Sequence, residues 1–295
     1  MENPKGLFSD FSPRLRLFLI GLLFVFGLLL SLLSLSTFTR VVHPTGPLTG
    51  LIIGQLFFEM FVFVLPPILL SILISGHPLK YFETFDKLNW RKYILGLIIL
   101  LLASLFIQLL IIDKETFVFP ASLKWLESSS RQAQAAYDNI IKQLMSVKRV
   151  SQLLVVFTMV AILPAIGEEL LFRGVLQRNL YEWSKKSWLA ILLSGLVFGL
   201  MHFEFYNFFA LCFMGFVLGW IYNITKNIWL TIFLHFSNNA VSFLAMYFYQ
   251  QGNTKINPEQ KLAFYIPLCA GFVMVFFMYV LYNTKVPLKA ESEET

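Results

Sequence analysis

About eight long apolar runs, separated by short polar links, constrain this chain more than any other feature. They fall near 17–38, 48–74, 93–112, 151–172, 188–203, 207–223, 228–248 and 262–283, and most approach the roughly 20 residues that a helix needs to cross a bilayer core. In hydrocarbon every backbone polar group must be satisfied within the protein, which leaves helices or closed barrels. Continuous apolar runs are the helical signature, since barrel strands alternate. The predicted fold class is therefore all-α, a polytopic membrane protein of about eight transmembrane helices with its active site inside the helix bundle. Composition agrees: of 295 residues 57% are hydrophobic and only 14% charged, a balance foreign to a soluble domain. The net charge of +6 resides mainly in loops, as membrane insertion requires, so it argues against nucleic acid as a partner. Cys212 and Cys269 lie in apolar runs with no CxxC partner and say nothing about redox compartment. The first run lacks a small-residue cleavage site and reads as a retained span.

Eight spans place both termini on one side. That side collects Lys5, Arg14, Arg16, Lys80, Lys87, Arg91, Lys92, Arg173, Arg178, Lys185, Lys186, Lys226, Lys285 and Lys289, against Arg40, Lys255 and Lys261 in the short loops opposite. The bias predicts cytoplasmic termini and a multi-pass protein of the cell membrane. Glu291–Thr295 reads as a solvated tail. Pro66–Pro67 and Pro164 predict kinks in the second and fourth spans. The hydrophilic stretch 113–149 has Ser and Gln followed by Ile140, Ile141, Leu144 and Met145, which predicts an interfacial amphipathic helix.

Glu168 and Glu169 break the fourth apolar run, with Arg173 four residues after the second. Ionisable groups at this depth cost several kcal/mol on most estimates and mark a site by default. Glu169 and Arg173 are spaced for an intrahelical ion pair, which leaves Glu168, about 100° round the helix, free for chemistry. Two of the four histidines, His202 and His235, also lie in apolar runs, and Asn239 shares a helix face with His235. If the fourth helix continues to about Ser184 and the fifth begins near Ser187, Glu168 and His202 each lie about 23 Å from the turn. They would then meet across an antiparallel hairpin, with His235 and Asn239 brought in by tilt and the Pro164 kink. These are the parts of a water-activating hydrolase: Glu168 as base, His202 orienting water, His235 and Asn239 holding an oxyanion. The same Glu168, His202 and His235 could instead form a three-ligand zinc site; spacing alone leaves both open.

Plainer readings exist for each residue alone. An intramembrane histidine commonly cross-links helices, Asn239 could cap or bridge, and Phe198 reads as packing. Glu59, one turn after Gln55 in the second span, could line a substrate cavity or be a second partner of Arg173. The pairs Gly195/Gly199 and Gly215/Gly219 predict close packing of the fifth and sixth helices.

In order along the chain, Glu168-Glu169-x-x-x-Arg173, Phe198-x-x-x-His202 and His235-x-x-x-Asn239 resemble the three motifs of the CAAX-protease and bacteriocin-processing family of intramembrane proteases. The flanking Ser194–His202 and Gly219–Trp229 sequences agree, and the likeness covers about 151–248. It implies an eight-helix membrane fold and endopeptidase activity on a membrane-associated peptide or protein, with the bilayer as the other partner. Eukaryotic members of the family trim prenylated proteins, and others confer bacteriocin immunity, so a non-enzymatic immunity or scaffold role is the alternative. A proton-coupled transporter ranks last, because the halves show no inverted repeat. The expected organisation is an N-terminal helical and interfacial region at 1–150, a catalytic core at 151–248 and a last helix with tail at 249–295.

Overall fold

The computed structural model describes residues 6–42, 46–77, 81–82, 89–255, 257–258 and 260–284, and among them every regular element is helical. Lys5, Lys80, Lys87, Lys285, Lys289 and the tail 291–295 lie outside the described residues. Helix α1 is Pro13–Val42. Helix α2 runs as Pro47–Phe58, widens to π geometry over Glu59–Val64 and continues as Leu65–Ser75. Helix α3 is Trp90–Phe106, and α4 is Lys124–Met145. Helix α5 spans Val150–Ser184, with π segments at Thr158–Ile162 and Leu170–Gln177. Helices α6 (Ser187–Met201), α7 (Phe208–Thr225), α8 (Ile228–Gln250) and α9 (Tyr265–Asn283) follow.

Seven of these are long and apolar enough to cross a membrane, so the chain is an integral, multi-pass, all-α protein. The fifth expected span, α6, differs: its 15 residues reach only about 22 Å, and His202 is its C-cap. The predicted kinks at Pro66–Pro67 and Pro164 take the form of π segments just before each proline. A proline ring clashes with the carbonyl four residues earlier. For Pro66, Pro67 and Pro164 those carbonyls belong to Val62, Phe63 and Val160, all inside widened turns that relieve the clash.

Two tight hairpins set the alignment of the later helices. Lys185 (φ 56°) ends α5 and Lys226 (φ 50°) ends α7 in left-handed conformation, each followed by an extended residue that caps the next helix. In the second hairpin Asn227 Oδ1 accepts the Leu230 N–H at 3.1 Å, satisfying an orphan donor of α8. Helix α5 ends at Ser184 and α6 begins at Ser187, as the depth argument supposed.

The ends of several helices gather at one side of the bundle. Arg16 at the start of α1 pairs with Glu182 near the end of α5 at 3.0 Å, and Tyr81, after α2, gives its carbonyl to Arg178 at 2.9 Å. Lys226, after α7, lies over the Tyr181 ring. Outer helices face lipid, with Phe18, Leu29 and Leu33 of α1 and Phe272, Phe276 and Tyr279 of α9 exposed. Inside, one apolar cluster joins α3, α7, α8 and α9 around Ile99, Leu218, Leu234 and Met274. A second joins α1, α2, α5 and α6 around Val62, Phe63, Phe172 and Phe198. Helix α4 is the expected amphipathic helix; its end packs Met145 and Val147 against Val156 and Phe243, leaving Trp125 and Tyr137 outward.

The glycine pairs pack α6 onto α7. A Cβ on Gly215 would stand 2.9 Å from the Gly195 Cα, and one on Gly199 would collide with Cys212 Sγ. Gly215→Ala is expected to lower the unfolding temperature in detergent, at a cost of about 1–3 kcal/mol. Gly50→Ala, which meets nothing within 4 Å, is expected to leave it unchanged or slightly raised.

Candidate active site

Helix α5 supplies the charged residues. Glu169 is fully buried and Arg173 nearly so, at 0% and 1% side-chain exposure. Arg173 Nη1 donates to Glu169 Oε1 at 2.7 Å, the intrahelical pair expected from the spacing. Its Nη2 donates to the Gly215 carbonyl at 3.0 Å, and one turn on, Gln177 Nε2 donates to the Gly219 carbonyl at 2.8 Å. The absence of side chains at Gly215 and Gly219 lets these donors reach the α7 backbone; a Cβ on Gly219 would stand 2.8 Å from Gln177 Oε1. The second glycine motif thus clamps α7 to α5 through polar contacts as well as packing on α6. The Arg173 guanidinium also sits over the Phe198 ring, 5.1 Å from its centroid.

The same Glu169 oxygen accepts a bond from His235 Nδ1 at 2.9 Å. A carboxylate that already receives an arginine can only accept, so Nδ1 of His235 carries the proton and Nε2 is left to face inward. His202 is fixed in the same way: Nδ1 lies 2.8 Å from the Phe198 carbonyl, an acceptor, which leaves Nε2 inward. Both Nε2 atoms lie 4.0 Å from Glu168 Oε2. That buried oxygen receives no hydrogen bond from any described side chain. Glu168, His202 and His235 therefore converge, and the depth match inferred for the α5–α6 hairpin is present.

Asn239 is the fourth residue expected at this site. It is half-buried one turn beyond His235; Asn238, itself bonded by Ser104 of α3 at 3.1 Å, donates to its Oδ1 at 3.5 Å. Among the described residues its amide nitrogen donates no hydrogen bond. Glu59 is buried in the π segment of α2, held by Gln55 at 2.8 Å, and interacts electrostatically with Glu168. The π segment packs on α5 at Gly167, where a Cβ would stand 2.9 Å from that of Phe63. The suggestion that Glu59 is a second partner of Arg173 is not met: the hydrogen bonds of that guanidinium go to Glu169 and Gly215.

Two roles were not legible beforehand. Phe198, read as packing, lies between Arg173 and the His202 ring at 4.7 Å, and its carbonyl fixes the His202 ring orientation. Gln177 had no signal in isolation, though its four-residue step from Arg173 parallels the step from Gly215 to Gly219. Phe117 and Phe119 cover Phe205 in the loop after His202, at 5.8 and 4.9 Å between ring centroids.

Among the described residues no group of three or more His, Cys, Asp or Glu takes up metal-binding geometry. Two ligands of one tetrahedral zinc ion lie about 3.3 Å apart, from bonds of about 2.0 Å. The 4.0 Å spacings here instead leave room for a water about 2.8 Å from each atom.

The buried ion pair has a testable energetic consequence. Arg173→Met strands the Glu169 charge and is expected to cost about 3–5 kcal/mol, whereas adding Glu169→Gln recovers much of the loss. Melting temperatures of the single and double variants measure the coupling.

Residues 150–241, from the start of α5 into α8, match the family described as Type II CAAX prenyl endopeptidase Rce1-like. Over 80 residues the chain is 34% identical to the Bacillus subtilis (strain 168) protein named "Putative membrane peptidase YdiL", covering 27% of this chain and 32% of that protein. The chain thus spans about a third of the length of the curated relative it matches. No solved structure matches it significantly. The matched segment contains Glu168, Glu169, Arg173, His202, His235 and Asn239, the residues of all three motifs. Residues 150–241, about a third of the chain, are thus similar to that endopeptidase family.

Proposed function

We propose that the protein is an intramembrane endopeptidase that hydrolyses a peptide bond of a membrane-associated peptide or protein with water activated by Glu168. The observation that carries this reading is the convergence of two oriented imidazoles on one buried, unpaired carboxylate oxygen. The family likeness and the relative named as a membrane peptidase support it.

In this mechanism a water lies between the three groups. It donates one proton to Glu168 Oε2 and the other to the lone pair of His202 Nε2, whose Nδ1–H is committed to Phe198. Glu168 removes the first proton as the water oxygen bonds to the scissile carbonyl carbon. The carbonyl oxygen becomes an oxyanion. His235, in its doubly protonated form, keeps Nδ1–H on Glu169 and offers Nε2–H to that oxygen, with the Asn239 amide as the second donor. Arg173 balances the Glu169 carboxylate, and the imidazolium balances the Glu168 carboxylate that it faces. When the C–N bond breaks, Glu168 passes its proton to the departing amine. Both carboxylates, one arginine and one imidazolium sum to zero, which suits a site set among apolar helices.

Glu168→Gln keeps the side-chain volume and is expected to leave the unfolding temperature nearly unchanged. Cleavage of a peptide substrate should fall by about 10²–10⁴-fold. Asn239→Ala removes a donor and should lower kcat by about 10²–10³-fold, with a smaller change in KM. If Glu168→Gln, His202→Ala and His235→Ala proteins all cleave at the wild-type rate, the enzymatic reading fails, and an immunity or scaffold role takes its place. Treatment with a chelator is expected to leave the rate unchanged; loss restored only by zinc would reassign Glu168, His202 and His235 as ligands.

A further inference from the structure

The mechanism above leaves one buried carboxyl group unused. Glu59, only 2% exposed, begins the π segment of α2. Its Oε1 accepts from Gln55 Nε2 at 2.8 Å, whereas its Oε2 is buried and receives no hydrogen bond from any described residue. A buried acceptor without a donor costs about 1–3 kcal/mol, so an oxygen kept in that state calls for a partner. A widened turn inside a helix is itself a frequent mark of a functional position.

Helical geometry relates this oxygen to the site. Successive residues lie 100° apart, so Gly167 and Glu169 of α5 face nearly opposite ways, with Glu168 between them. Gly167 packs on α2, where a Cβ would stand 2.9 Å from that of Phe63, and Phe63 follows Glu59 by one turn. On the other side Glu169 meets His235 of α8 at 2.9 Å. Glu168 therefore has α2 on one flank and α8 on the other, with His202 of α6 also facing it. Glu59 is near enough to interact with it electrostatically.

The two flanks differ in hydrogen-bonding sense. On α8, His235 and Asn239 are the donors assigned to the scissile carbonyl oxygen. On α2, Glu59 offers an acceptor, a capacity that a carboxyl group keeps with or without its proton. A planar trans peptide bond directs its C=O and N–H to opposite sides. A substrate whose carbonyl points to α8 thus turns its N–H toward α2. The Oε2 atoms of Glu59 and Glu168 are buried alike, so the opening that brings a peptide to one brings it to the other.

We propose that Glu59 Oε2 accepts the N–H of the scissile peptide bond and is a further catalytic residue, a role that rests on the hydrolase reading of Glu168. In the breakdown step the nitrogen takes the proton from Glu168, the oxyanion re-forms the C=O bond, and the C–N electron pair leaves with the nitrogen. The N–H already present stays on that nitrogen, and Glu59 neither gains nor loses a proton. Its part is orientation: as the nitrogen becomes tetrahedral, the held N–H turns the lone pair toward Glu168. Gln55, by engaging Oε1, leaves Oε2 for the substrate.

The test incubates the full-length protein with a random-sequence peptide library and locates the cuts by mass spectrometry. One peptide cut by wild type is then made in two forms, with an amide or an ester at the cut bond; the ester has no N–H. Glu59→Leu should lower kcat on the amide by about 10–100-fold, with a smaller change in KM. On the ester it should stay within about twofold of wild type. Glu59→Gln keeps an acceptor oxygen and should stay within about fivefold of wild type on the amide. Glu59→Met preserves side-chain length and gives the same comparison should Glu59→Leu fail to fold. Equal losses on amide and ester overturn the proposal, as does wild-type turnover of the amide by Glu59→Leu. A loss in Glu59→Gln as large as in Glu59→Leu overturns it too. If wild type cuts no peptide, or its cuts are indifferent to Glu168→Gln, the hydrolase reading fails and this role with it. Cuts that need Glu168 but not Glu59 sink this inference alone.

Discussion

The bond between Glu169 and Arg173 is the interaction on which the site depends. A charge pair excluded from water is tolerable only when its remaining donors and acceptors are used. Here one carboxylate oxygen takes both the guanidinium and the His235 imidazole, and the other arm of the guanidinium reaches the backbone of α7. Three helices are thereby fixed to one another at a single point. Removing the negative charge would free the His235 ring as well as the arginine, so geometry at the neighbouring Glu168 rests on Glu169.

Adjacent carboxylates on one helix have acquired different environments through what faces them. Glu169 points into a dense polar knot, whereas Glu168 points at two imidazole Nε2 atoms and an unbonded space. The contrast comes from α6 and α8, which approach from different sides. Phe198 couples the two environments: its ring covers Arg173 while its carbonyl orients His202.

Much of this was readable in the residues because lipid removes alternatives. A glutamate, an arginine or a histidine in an apolar run has few places to go, so its partner can be sought at helical spacing and matched depth. The Glu169–Arg173 bond and the meeting of Glu168 with His202 followed from counting along α5 and α6. What could not be counted was shape. The prolines announced bends, but their expression as widened turns before Pro66 and Pro164 depends on how each strained carbonyl is relieved. The π segment at Leu170–Gln177 contains no proline, and no sequence signal announces it. The carbonyls of Gly215 and Gly219 were equally hidden, because a backbone acceptor leaves no mark in the side-chain pattern. Asn239 shares a helix face with His235 as expected, yet its hydrogen bond lies toward Asn238.

Helix α6 has a consequence for the surrounding lipid. At 15 residues it stops about 8 Å short of a 30 Å hydrocarbon slab, and Glu204 and Asn207 follow in the loop beyond it. Polar backbone and a carboxylate at that level must be hydrated, so the bilayer is thinner there or water dips into it. The imidazole at the tip of the helix, one quarter exposed, then stands at the bottom of a wet dimple. Membrane thickness becomes a physical control on how readily water reaches that imidazole: a thick, ordered bilayer closes over the dimple, and a thin one keeps it open.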